Sequence, residues 1–119
     1  MGSRLASASY DKTVQVWQRL TGHPVLTYHG HFNWVTAVAW SPDGRSVASA
    51  NTSKTVQVWE SVTGTPQLTY RNHRSEVLTI AWSPDGTRIA SGDDDGIVRV
   101  WQAPVACQCT SDENGQRTL

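Results

Sequence analysis

From position 34 to position 40 the chain reads Trp-Val-Thr-Ala-Val-Ala-Trp, apolar at almost every residue. An extended segment of that kind has both alternating faces covered by protein, which predicts an interior strand. Ser41-Pro42-Asp43-Gly44 follows; the proline presets φ and the glycine takes a backbone conformation other residues avoid, so the chain reverses there. Residues 45–50 predict a second strand. Residues 55–59 predict a third, with Val56 and Val58 on one face, and 66–70 a fourth after the Thr63-Gly64 turn. The connections are short, so the strands form an antiparallel meander. Helical spacing appears over no useful length, and proline and glycine punctuate the chain throughout. The fold class is all-β.

The same pattern returns along the chain. Trp17, Trp59 and Trp101 stand 42 residues apart (59 − 17 and 101 − 59), and Trp40 and Trp82 keep that step, as do Ser41-Pro42-Asp43-Gly44 and Ser83-Pro84-Asp85-Gly86. Lys12-Thr13-Val14-Gln15-Val16-Trp17 recurs as Lys54-Thr55-Val56-Gln57-Val58-Trp59, more loosely as Gly96-Ile97-Val98-Arg99-Val100-Trp101, and His31 recurs as His73. A period between about 20 and 50 residues marks solenoids, propellers and arrays, in which each unit buries its faces against its neighbours.

Charge changes the picture by exclusion. Ten basic and ten acidic side chains give a formal net charge of zero, which leaves no basic field for a nucleic-acid backbone or an anionic membrane. No apolar run approaches the roughly 20 residues of a membrane span, and the first ten residues lack the apolar core of a signal peptide. The expectation is a soluble chain with no address of its own, most simply in the cytoplasm. The two cysteines, Cys107 and Cys109, are too close for a disulfide framework and read as free thiols rather than a metal site.

Four strands per unit, a histidine ahead of the first strand and a tryptophan closing the third resemble the WD-repeat β-propeller family over residues 1 to about 103. The family's Gly-His pair stands as Gly30-His31 and, altered, as Asn72-His73; its Trp-Asp pair is altered to Trp17-Gln18, Trp59-Glu60 and Trp101-Gln102. The resemblance implies a β-propeller arc of four-stranded antiparallel blades, an incomplete ring as a single chain. It also implies a buried hydrogen-bond chain from Trp through Ser or Thr and His to Asp in each blade. By position the members are His73, Ser91, Asp95 and Trp101 in the third unit; His31, Ser49, Ser53 and Trp59 in the second, a hydroxyl replacing the carboxylate; and Ser7, Asp11 and Trp17 in the first, which has no histidine. An indole N–H needs an acceptor when buried, a hydroxyl both accepts and donates, and an imidazole passes the chain on.

His, Ser and Asp also invite a hydrolytic reading. A serine in mid-strand with no nucleophile elbow, in a set that repeats, argues against it, so no catalytic residue is expected. Asp93-Asp94-Asp95-Gly96 has too few ligands at loop spacing for calcium and reads as a tight charged turn; no metal and no cofactor are expected. His23 and His29 read as loop histidines without a role.

Subtracting the period places the first residues inside the turn between first and second strands, and the pattern is lost after Gln102. The expected organisation is a partial blade at 1–29, a full blade at 30–71, a blade without a regular outer strand at 72–103, and a divergent, disordered tail at 104–119, in which 105–110 offers at most an irregular strand. An arc of this length leaves end faces in water, so the chain reads as a fragment of a longer propeller or as a partial one that assembles with copies of itself; an orphan truncated repeat product is the alternative. The resemblance implies a non-catalytic scaffold for a protein or peptide partner, a propeller enzyme or lectin-like module being the less favoured reading. Partners of the family dock on the face near the start of the first strand and the turn before the third, which here means Trp34, Thr36, Glu76, Leu78, Tyr10, Thr52 and Asp94.

Overall fold

The computed structural model describes residues 4–8, 11–31 and 33–104. Period-two alternation becomes ten strands: β1 (Arg4–Ala8), β2 (Val14–Gln18), β3 (Pro24–Tyr28), β4 (Val35–Trp40), β5 (Ser46–Asn51), β6 (Val56–Glu60), β7 (Pro66–Tyr70), β8 (Val77–Trp82), β9 (Arg88–Asp93) and β10 (Val98–Gln102). They pair antiparallel as three sheets in the orders β1-β2-β3, β4-β5-β6-β7 and β10-β9-β8. The three sheets are blades of an open arc; the ring is not closed. The expected irregular strand at 105–110 and the cysteines lie outside the described residues. No helix among the described residues is long and apolar enough to cross a membrane.

Turn chemistry fixes the blade ends. Gly44 and Gly86 adopt φ of 74° and 75°, and their N–H groups donate to the carbonyls of Ser41 and Ser83 at 2.9 Å. The turn before the third strand needs the same left-handed conformation one repeat apart: Lys12 at 75°, Lys54 at 73° and Gly96 at 82°. Only the third blade fills that position with the residue that adopts it without steric cost.

Alternation along each strand gives a blade two faces. Ala6, Ala8, Val14, Val16, Leu26 and Tyr28 of the first blade share a core with Val35, Val47, Trp59, Val38 and Trp40 of the second. On the other side of the second blade, Ala48, Ala50, Val56, Val58, Leu68 and Tyr70 share a core with Val77, Ile89, Trp101, Ile80 and Trp82 of the third. The cores therefore lie between sheets, not within one. Tyr28 stacks on Trp59 with ring centroids 4.4 Å apart and planes 5° from parallel, and Tyr70 repeats the stack on Trp101 at 4.3 Å and 4°. Polar bonds cross the same joints. The Tyr28 hydroxyl donates to Gln57 Oε1 at 2.6 Å, and burial pushes its pKa up, so it stays a donor. The Thr36 hydroxyl donates to the Val77 carbonyl at 2.5 Å, and the Trp82 indole N–H to the Ala39 carbonyl at 3.1 Å.

Candidate functional site

Each blade ties its middle strands with one polar chain, read outward from the tryptophan. The indole N–H of Trp17 donates to Ser7 Oγ at 3.0 Å, that of Trp59 to Ser49 Oγ at 2.9 Å, and that of Trp101 to Ser91 Oγ at 2.9 Å. In the second and third blades the serine also meets a histidine: His31 Nε2 lies 2.5 Å from Ser49 Oγ, and His73 Nε2 lies 2.5 Å from Ser91 Oγ. The far end of the chain differs from the expectation. His73 Nδ1 meets Asp93 Oδ2 at 3.0 Å, not Asp95, and His31 Nδ1 meets Asn51 Nδ2 at 2.8 Å, not Ser53.

The reason is the direction of the side chains at the end of the second strand. Asn51 and Asp93 are the last residues of β5 and β9, point to the tryptophan side, and are buried. The side-chain oxygen that does not face the histidine organises the turn: Asn51 Oδ1 accepts from the backbone N–H of Ser53 and Thr55 at 3.0 and 3.2 Å, and Asp93 Oδ1 from those of Asp95 and Ile97 at 3.0 and 3.1 Å. Ser53 and Asp95 thus contribute a backbone donor to the turn while their side chains are exposed. Asp11 stands at the equivalent exposed position and accepts from Thr13 N at 3.0 Å. The tight charged turn expected of Asp93-Asp94-Asp95-Gly96 takes this form.

One substitution reverses the polarity of the chain. Asn51 Oδ1 is committed to the turn, so its amide donates to His31 Nδ1, and the partners assign the ring proton to Nε2, which donates to Ser49 Oγ. Asp93 can only accept, so His73 donates from Nδ1, and in the neutral ring Nε2 accepts the Ser91 hydroxyl. Burial pushes the His31 imidazole down to about 4. The His73 hydrogen bond holds the Asp93 carboxyl below its usual range.

Asp93, His73 and Ser91 are connected as a hydrolytic triad would be, yet Ser91 is buried and its oxygen already receives the Trp101 indole N–H. A substrate carbonyl has no path to that oxygen. Among the described residues, clefts of about 630 and about 310 Å³ open at the opposite end of the blades, lined by Trp40, Arg45 and Glu60 and by Trp82, Thr87 and Gln102. The chain Trp-Ser-His is therefore a tie between strands, and Gly30 shows how tightly its surroundings are packed: a Cβ there would collide with the Tyr28 hydroxyl and Gln57 Oε1. Sequence reasoning missed Asn51, Asp93, Tyr28 and Tyr70; the repeat itself was the signal, since each pair stands one period apart.

The expected docking residues gather at the loop end. Trp34 is 49% exposed, and its carbonyl accepts from Thr52 N at 3.0 Å. One period on, the Glu76 carbonyl accepts from Asp94 N at 2.9 Å, with both side chains exposed. Thr36 and Leu78 sit where the first strand of each blade bulges; Thr36 is spent on the joint to the third blade, whereas Leu78 is exposed. Tyr10 lies outside the described residues. His23 and His29 are exposed.

The profile of the family described as "WD domain, G-beta repeat" matches residues 1–18, 22–60 and 64–102. This chain belongs to that family. Among curated proteins, it is 54% identical over 44 residues to "Nuclear distribution protein PAC1" of Coccidioides posadasii, which covers 37% of this chain and 9% of the relative. It is 49% identical over 43 residues to "Ribosome assembly protein 4" of Chaetomium thermophilum, covering 36% of this chain and 8% of the relative. A "Lissencephaly-1 homolog" of Dictyostelium discoideum is 49% identical over 41 residues, 34% of this chain and 10% of the relative. The matched stretch spans about a tenth or less of each relative and about one repeat, so the likeness is to the blade.

Proposed function

We propose that the chain is a non-catalytic scaffold for a protein or peptide partner, docked on the loop end that carries Trp34, Thr52, Glu76 and Asp94, with Leu78 at its margin. One observation carries this reading. The same backbone hydrogen bond presents Trp34 with Thr52 in one blade and Glu76 with Asp94 in the next. A constant frame thus holds unlike side chains, an aromatic beside an acidic pair, as a surface specific for one partner requires. A half-exposed tryptophan is the kind of anchor on which interface energy concentrates. The buried Ser91 oxygen and the family's generally non-catalytic character support a role without chemistry.

The test is a comparison of partner capture by the wild-type chain and by Trp34→Ala, with His29→Ala as a surface control. Loss of one captured protein by Trp34→Ala alone, at unchanged thermal stability, is the expected outcome. Equal capture by all three would remove Trp34 from the docking face.

A further inference from the structure

We propose that the two free faces of the arc are mates, and that each is covered by a second copy of this chain added head to tail. Two sets of side chains make every internal joint. The first set is Ala6, Val14 and Val16 in the first blade and Ala48, Val56 and Val58 in the second; it packs against Val47 and Trp59 of the second blade and Ile89 and Trp101 of the third. All four valines of the first set are fully buried. Both sets recur at the ends of the arc, where no further sheet among the described residues covers them. Ala90, Val98 and Val100 of the third blade repeat the first set, with Val98 66% and Val100 63% exposed; Leu5 and Trp17 of the first blade repeat the second, with Leu5 54% exposed.

The two ends suit each other chemically. On the first-blade face the Trp17 indole N–H is already given to Ser7 Oγ at 3.0 Å and the Thr27 hydroxyl to Gln15 Oε1 at 2.5 Å. Covering that face strands neither donor. No charged residue belongs to either set. A joint of this kind is heterologous, since the two mating faces differ, and such joints continue until a ring closes. Propeller rings hold roughly 4–8 blades, so two copies with three sheets each close one ring.

Light scattering during size exclusion, in reducing buffer so that Cys107 and Cys109 stay thiols, is expected to give twice the 13.1 kDa chain mass, falling on dilution. Val100→Asp and Leu5→Asp, each at an exposed position, are each expected to give monomers with unchanged β circular dichroism. Mixing the two variants is expected to restore a dimer, because one intact pair of faces remains. If either variant loses its β signal, Val100→Thr or Leu5→Thr takes its place, with about a tenfold rise in the dimer Kd as the expected reading. A wild-type monomer at every concentration overturns the proposal, as does a dimer indifferent to both substitutions. A dimer broken by Val100→Asp but not by Leu5→Asp, with no rescue on mixing, also overturns it, since that pattern belongs to like faces meeting. Trp34→Ala leaves the mass unchanged, so this result stands or falls apart from the docking face.

Discussion

The second and third blades are nearly the same sentence written twice, and three of their differences are instructive. Val56 and Val58 are fully buried while Val98 and Val100 are among the most exposed apolar side chains described. His31 is tied to an amide, His73 to a carboxylate. The left-handed turn position is a lysine in one and a glycine in the other. The first difference comes from position in the arc and the other two from sequence. A repeat therefore specifies a blade, but what a given side chain contributes depends on what stands beside the blade.

The sharpest way to break the comparison is an aspartate at the matched valine. In Val58→Asp a carboxylate enters the joint between second and third blades, and a loss of about 4–5 kcal/mol is expected, enough to unfold a marginally stable domain. Val100→Asp should change the stability of the monomer by within about 0.5 kcal/mol. Urea unfolding of both variants and the wild type, at concentrations below the dimer Kd, measures the difference, and equal losses would show that the arc does not leave its end face open.

Acid should separate the blades next. His31 is held down to about 4, so between the ordinary histidine value and that pKa the unfolded chain binds a proton the folded blade refuses. Stability then falls as pH falls from about 6.5 to 4, by up to about 3 kcal/mol. The Asp93 pair behaves differently: its carboxyl is depressed from 3.8, so its contribution persists above that value and is lost as pH falls through the folded pKa. Asn51→Asp should turn the His31 ring over to the Nδ1–H form, raise its pKa and flatten the loss between pH 7 and 4.5. Histidine NMR titration and urea midpoints at the two pH values check both statements; an unchanged titration in Asn51→Asp would rule out the assigned tautomer.

Removing the shared hydroxyl is a smaller step. Ser91→Ala strands the Trp101 indole N–H and is expected to lose about 1–2 kcal/mol. Asp93→Ala should be the more damaging of the two nearby aspartate variants, and Asp95→Ala should be silent to within about 0.5 kcal/mol. Thermal midpoints that ranked Asp95→Ala as the worse would return the network to its sequence-predicted member. The smallest effect expected is a gain: Lys54→Gly gives the second blade the third blade's turn residue and should add about 0.5–1 kcal/mol, the relief of the left-handed lysine exceeding the entropy cost of glycine.

Much of this was legible beforehand because it rests on local rules. Period-two alternation, the Pro-Asp-Gly turns and the recurrence of Trp17, Trp59 and Trp101 suffice for strands, for their antiparallel order and for the family. The Ser-Trp and Ser-His contacts are those that the family resemblance implied, carried over to these positions. Choosing Asp95 over Asp93 went wrong for a physical reason. In the tight turn the residue that closes the strand, not the one at the turn's crest, points inward, and its second oxygen is then free to hold the turn.

Sequence alone determined the unit of this protein: an antiparallel meander with a tryptophan, a serine and a histidine at set places, because strand pairing and turn geometry depend on neighbours a few residues apart. Only the tertiary structure decided which of two chemically identical valine pairs is core and which is surface, that Asn51 and Asp93 end the polar chain, and that tyrosines bind each blade to the next. Those outcomes depend on which sheet packs against which, over distances along the chain that no local pattern encodes.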